Sequence, residues 1–82
     1  MTKVKICGLK RKEDIEYVNK YLPDYIGFVF AESKRRVSVE LAESLKKNLS
    51  PEIKTVGVFV NEDLESLLET IKRLSLDCVQ IH

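Results

Sequence analysis

Two stretches, "YIGFVF" at 25–30 and "TVGVFV" at 55–60, constrain the fold of this chain more than anything else in it. A strand with one wet face alternates apolar and polar residues. A strand that is apolar at nearly every position is covered on both faces, as in a parallel sheet packed between or beneath helices. Two weaker runs, Val4–Cys7 and Cys78–Ile81, complete a set of four predicted strands. Between them lie three helical patterns. The first uses Ile15, Val18 and Leu22 and is limited by Pro23. The second uses Leu41, Ala42, Leu45 and Leu49, is capped by Ser38 and closes before Pro51. In the third, Leu64, Leu67, Leu68, Ile71 and Leu74 follow i, i+3, i+4, i+7 spacing. Asn61 is its expected N-cap, with Glu62 and Asp63 in the first turn and Lys72 and Arg73 in the last, all favourable to the helix dipole.

The order β-α-β-α-β-α-β implies right-handed crossovers and a parallel α/β sheet. The strands recur at the spacing of a βα unit, as in a TIM (β/α)8 barrel or a doubly wound sheet. A complete barrel needs roughly 200–250 residues. These 82 residues hold three βα units and a fourth strand, so residues 1–82 are expected to be a single partial domain, a fragment of something longer. The composition fits a soluble globular protein, with 33% charged and 44% hydrophobic residues. A net charge of +1 argues against a nucleic-acid or membrane-surface binder. No apolar run reaches the ~20 residues that span a bilayer, and the N-terminus has no signal-peptide core, so a cytoplasmic location is expected. Cys7 and Cys78 lie far apart without CxxC spacing, which suits free thiols better than a zinc site or a disulfide.

In parallel α/β folds the chemistry gathers at the carboxyl ends of the strands. Those ends carry Cys7–Gly8, the loop "AESKRR" at 31–36, Asn61 and His82. The opposite rim offers Lys3, Asp24, Lys54 and Asp77, which read as solvated turn residues. Each rim group has two readings. A cysteine ending a strand is most often inert packing. A reactive one needs cations or a helix N-terminus nearby, and here a helix starts just after Gly8 with Lys10, Arg11 and Lys12 close in sequence. The "SKRR" run is a solvated loop or a bidentate carboxylate or phosphate clamp. His82 is a site imidazole or a frayed end. Gly27 and Gly57 mark either close strand packing or close approach of another group.

Four blocks, "KVKICGLK" at 3–10, "GFVFAESKRRVS" at 27–38, "VGVFVN" at 56–61 and "VQIH" at 79–82, resemble the phosphoribosylanthranilate isomerase family in order and spacing. The resemblance covers the whole chain, as the N-terminal part of the family's (β/α)8 barrel. It implies an Amadori rearrangement in tryptophan biosynthesis. N-(5-phosphoribosyl)anthranilate becomes the corresponding 1-deoxyribulose aminoketose through ring opening by a general acid, removal of the C2′ proton by a general base, and tautomerisation of the enolamine. It implies no metal or organic cofactor, and a small phosphorylated substrate as ligand. Matched by position, it makes Cys7 the catalytic base, Arg35 the group that holds the anthranilate side, with Arg36 one residue away as the alternative, and His82 a substrate contact. Lys10 stands where the family often has a capping threonine, with Glu13 in place as the other half of a capping box. A lost cap costs ~1 kcal/mol.

The family's general acid and phosphate site belong to later strands. Of the aspartates here, Asp14 and Asp63 fall in helices and Asp24 and Asp77 precede strands, so none is expected at the catalytic rim. The chain alone is therefore expected to be inactive, and to self-associate or pair with the missing barrel half through its open edges. The competing reading is a non-catalytic half-barrel module that pairs with another chain. A third, a flavodoxin-type phosphate binder, lacks GxxxxGK[ST] or GxGxxG support.

Overall fold

The computed structural model describes residues 3–30, 36–60 and 63–81. Strand β1 (Lys5–Cys7) leads to helix α1 (Lys12–Tyr21), then β2 (Tyr25–Val29), α2 (Val39–Lys46), β3 (Lys54–Phe59), α3 (Leu64–Leu74) and β4 (Cys78–Ile81). The four strands form one parallel sheet in the order β1-β2-β3-β4. Each strand thus lies beside the next in sequence, the arrangement of a barrel wall rather than of a doubly wound sheet, in which the strand order reverses.

The sheet has two distinct faces. On one, Ile6, Ile26, Phe28 and Phe30 pack with Ile15 and Val18 of α1 and Ala42 and Leu45 of α2. Phe59 joins them by stacking on Phe30, with ring centroids 5.1 Å apart. By strand alternation the other face carries Lys5, Cys7, Gly27, Val29, Val56, Val58, Cys78 and Gln80. This face is concave. Lys5 Nζ of β1 donates to Gln80 Oε1 of β4 at 2.7 Å. In a flat sheet those residues would stand roughly 19 Å apart, three strand spacings across and four residues along, beyond the reach of both side chains. The sheet is curled enough to close that gap.

Helix α3 departs from the expected stripe. Its buried residues are Leu67, Thr70 and Leu74, whereas Leu64 and Leu68 are 68% and 55% exposed. The apolar stripe is wider than the face that is buried. Leu22 and Leu41 are also largely exposed. The N-cap of α3 is Asp63, whose carboxylate accepts from Glu65 N–H at 3.2 Å and from the Ser66 hydroxyl at 2.8 Å. The expected cap, Asn61, lies outside the described residues. Ser38 caps α2 as expected, accepting from Leu41 N–H at 3.1 Å.

Helix α1 begins at Lys12 with Arg11 as its N-cap, and the capping-box carboxylate is Asp14 rather than Glu13. The start is one residue later than the expected box requires, which moves the third helical position from Glu13 to Asp14. Asp14 accepts from Lys10 N–H at 3.2 Å and Arg11 N–H at 3.1 Å, so these amides keep a partner without a threonine at position 10.

Asp24 and Asp77 are not merely solvated turn residues. Asp24 accepts from Val4 N–H at 2.8 Å. Asp77 accepts from Thr55 N–H at 2.8 Å and the Thr55 hydroxyl at 3.2 Å. Each sits just before a strand and ties that strand's start to the start of the one before it. Two further ties join the helical layer. Asn19 of α1 donates to Asn48 C=O and accepts from Ser50 N–H, both at 2.7 Å. Arg73 of α3 pairs with Glu43 of α2 at 3.1 Å.

Candidate active site

Parallel pairing places the carboxyl ends of all four strands at one rim. There β1 ends on Cys7, whose side chain is half-buried on the concave face and not in a disulfide. Gly8 follows with φ 87°, a conformation glycine adopts without strain. It turns the chain out of the sheet while its N–H donates to Gly27 C=O at 3.0 Å. That bond extends the β1–β2 ladder one residue past Cys7 and fixes the backbone beside the thiol.

A hollow of about 400 Å³ opens here, lined by Ile6, Cys7, Leu9, Lys10, Arg11 and Asp14 among others. It contains a carboxylate that the sequence reading did not place at this rim. In a βα unit the helix starts at the same end where the strand stops, so first-turn residues of α1 and α3 lie at the carboxyl-end rim. Asp14 lines the hollow itself and Asp63 caps α3 at the same rim. Slight burial pushes the Asp14 carboxyl up. Hydrogen bonds from Lys10 N–H and from the Arg11 side chain and N–H, together with the Arg11 charge, outweigh it and leave the group below the usual carboxylate range. Asp63 is held low by the Ser66 hydroxyl and the Glu65 N–H. Both are ionised caps, poorly suited to donating a proton near neutral pH.

The ends of β2 and β3 meet at a second hollow of about 270 Å³, lined by Phe30, Arg36, Val37, Ser38, Phe59 and Thr70 among others. Arg36 is exposed, and its backbone bridges to Val29 in parallel fashion. Arg35 and His82, expected to contact substrate, lie outside the described residues, as does Asn61. Another hollow, of about 230 Å³, lies at the opposite rim around Lys3, Asp24, Tyr25 and Lys54. It holds none of the expected site residues. Among the described residues no three His, Cys, Asp or Glu side chains converge to hold a metal ion.

A curled parallel sheet of neighbouring strands, with helices on one face and a thiol at its carboxyl-end rim, defines a partial barrel of the α/β class. Comparison with known proteins narrows the class. The family described as N-(5'phosphoribosyl)anthranilate (PRA) isomerase matches residues 4–82, and the chain belongs to that family. The N-(5'-phosphoribosyl)anthranilate isomerase of Acetivibrio thermocellus is 62% identical over all 82 residues, which cover 38% of its length. A crystal structure of phosphoribosyl anthranilate isomerase in complex with reduced 1-(o-carboxyphenylamino)-1-deoxyribulose 5-phosphate superposes on the whole chain with TM-score 0.93 at 41% identity. The chain covers 43% of it. Mutually generated monomers of the dimeric enzyme from Thermotoga maritima give TM-score 0.90 at 42% identity, again over the whole chain and 42% of that structure. The chain thus spans about two-fifths of the length of these relatives, and its fold is that of a portion of their barrel.

Proposed function

We propose that this chain supplies the first three βα units and fourth strand of an enzyme that isomerises N-(5-phosphoribosyl)anthranilate to 1-(2-carboxyphenylamino)-1-deoxyribulose 5-phosphate, with Cys7 as the general base. The observation that carries this reading is the Cys7 thiol, held on the concave face at the carboxyl end of β1 in a chain of this family. Once the furanose opens to the imine, the C2′ proton is acidified by the adjacent C=N. Cys7 takes that proton, and the electron pair moves toward the nitrogen to give the enolamine. Reprotonation at C1′ gives the ketone. Hydrogen moves within one molecule, so the overall reaction consumes no oxidant or reductant. Arg35 offers its planar fork to the anthranilate carboxylate, and His82 contacts the substrate from the end of β4.

The acid that opens the ring and the phosphate site are supplied by further polypeptide, because the rim carboxylates Asp14 and Asp63 are committed to capping. Leu64 and Leu68 on α3 and Ile81 on β4 are exposed and give that polypeptide an apolar face to cover. The 82 residues alone are expected to self-associate and to turn over no substrate. No described helix is long and apolar enough to cross a membrane, and two free thiols suit a reducing cytoplasm.

The test is Cys7→Ala in the intact protein, followed by loss of substrate fluorescence. The expected fall in kcat is at least ~10²-fold, the low end for a positioned base. Near-normal kcat removes Cys7 from the mechanism. Arg35→Ala should depress kcat/KM more than Arg36→Ala. The reverse order moves the carboxylate contact to Arg36.

A further inference from the structure

A glycine inside a strand weakens the sheet, so one that is not needed for its backbone freedom has another cause. Gly27 is such a residue. It is buried in the middle of β2, in register with Cys7 on one side and Val56 on the other. Gly8 has a positive φ and Gly27 does not. A methyl group at position 27 would lie 2.8 Å from Cys7 Sγ, 3.5 Å from Cys7 Cβ and 3.6 Å from Cys7 Cα, its three nearest neighbours. The two carbon distances are ordinary contacts, but the sulfur distance is a clash. The space that a side chain at 27 would occupy already holds the thiol. Gly57, the other strand glycine, faces the helices instead, where a methyl would meet Leu76 and Phe59.

We propose that Gly27 is the positioning residue of Cys7: its missing side chain is the socket in which the thiol lies, level with β2 and aimed into the concave face. This rests on the reading of Cys7 as the base. The sulfur hangs on a single rotatable bond with three staggered wells. A methyl at 27 therefore displaces the sulfur to another well and leaves the backbone of both strands in place. Moving a reacting group by about 1 Å can cost on the order of 10²-fold in rate. The three atoms nearest a methyl at 27 all belong to Cys7, and a Gly→Ala change at an ordinary φ narrows the unfolded ensemble. The loss should therefore fall on kcat and spare KM and stability.

The experiment compares Gly27→Ala, Cys7→Ala and the double variant in the intact protein. Gly27→Ala is expected to lower kcat by about 10- to 100-fold with KM within about twofold and little change in Tm. Any Tm loss it does cause should shrink in the Cys7→Ala background, where the methyl no longer meets a sulfur. If Gly27→Ala keeps wild-type kcat while Cys7→Ala is inactive, the positioning role is overturned and the base stands. A Tm loss of equal size in both backgrounds overturns the socket itself, and this readout remains available if Gly27→Ala folds poorly. Near-normal kcat in Cys7→Ala overturns the base reading and with it the catalytic role of Gly27.

Discussion

Removing the Asp77 carboxylate should loosen β4 from β3 by a defined amount. Thr55 is fully buried (0% exposed), and both its N–H and its hydroxyl donate to Asp77 Oδ2, at 2.8 and 3.2 Å. Hydrogen bonds to a charged acceptor are worth about 1.5–3 kcal/mol, and a buried donor left unpaired costs about 1–3 kcal/mol. Two considerations hold the Asp77→Ala loss to about 2 kcal/mol rather than the sum of these ranges. Asp77 itself is exposed, so water can reach part of the vacated position. The backbone bond from Asp77 N–H to Thr55 C=O, 3.0 Å long, survives the substitution and keeps the strand docked. Asp77→Asn retains an oxygen acceptor without the charge and should cost about 1 kcal/mol. Thr55→Val removes the hydroxyl alone, and its cost should largely vanish in the Asp77→Ala background, because both changes delete the same bond. The assay is urea unfolding of the intact protein at pH 7. With a slope of about 2 kcal/mol/M, Asp77→Ala should lower the midpoint by about 1 M. A midpoint unmoved by Asp77→Ala, or an Asn variant as weak as the Ala variant, would refute the account of a charged acceptor holding two buried donors.

Gly57→Ala places a methyl 2.7 Å from both Leu76 Cδ1 and the Phe59 ring. Because that ring is buried and stacked on Phe30, overpacking should cost about 1–3 kcal/mol, read as a lower Tm. Asp14→Ala strips the capping carboxylate from Lys10 and Arg11 N–H and should cost about 1 kcal/mol, with a smaller loss in Asp14→Asn, both measured by urea midpoint. The Glu43 carboxyl is held below its ordinary range by the hydrogen bond and charge of Arg73, and that of Asp63 by hydrogen bonds from the Ser66 hydroxyl and the Glu65 N–H. Each therefore stabilises the fold above the unfolded carboxylate pKa, near pH 4, and that stability is lost as pH falls through the lower folded value. The midpoint difference between wild type and Glu43→Gln should shrink on acidification below pH ~4. A difference constant from pH 7 to 3 would show that the pair contributes nothing by ionisation.

The fold was legible because strands covered on both faces leave a strong mark. "YIGFVF" and "TVGVFV" became β2 and β3 with ends shifted by one residue, and the strand-helix alternation left parallel pairing as the natural outcome. The misreadings share one cause: apolar spacing identifies a helix but not how much of its stripe is covered. Leu64 and Leu68 satisfy the periodicity of α3 as well as Leu67 and Leu74 do, yet of these four only the latter two are buried. Ser38 caps α2 as expected, but the α1 cap lies one position later than expected, at Arg11, a place that favours Ser, Thr, Asp or Asn. A local rule that scores side chains could not see that Asp14 does the accepting.

The place of the thiol at the rim was legible, and that of the carboxylates was not. Cys7 follows from strand alternation, since Ile6 must face the helices and the residue after it must then face the concave side. A helical assignment alone does not take Asp14 away from the rim, because the first turn of every helix in a βα unit stands there. The sequence carries the signal: an aspartate within the first few helical positions caps the turn and therefore sits where the strand ends. Asp24 and Asp77, at the far rim, bear on the same site from below. A slip of one residue in a strand turns every side chain to the other face. The row Cys7, Gly27, Val56, Cys78 exists only while the strands hold their register. The two aspartates tie β1 to β2 and β3 to β4 at their starts. The position of the thiol at one rim is thus fixed by carboxylates at the other, and a variant there can change activity without touching substrate.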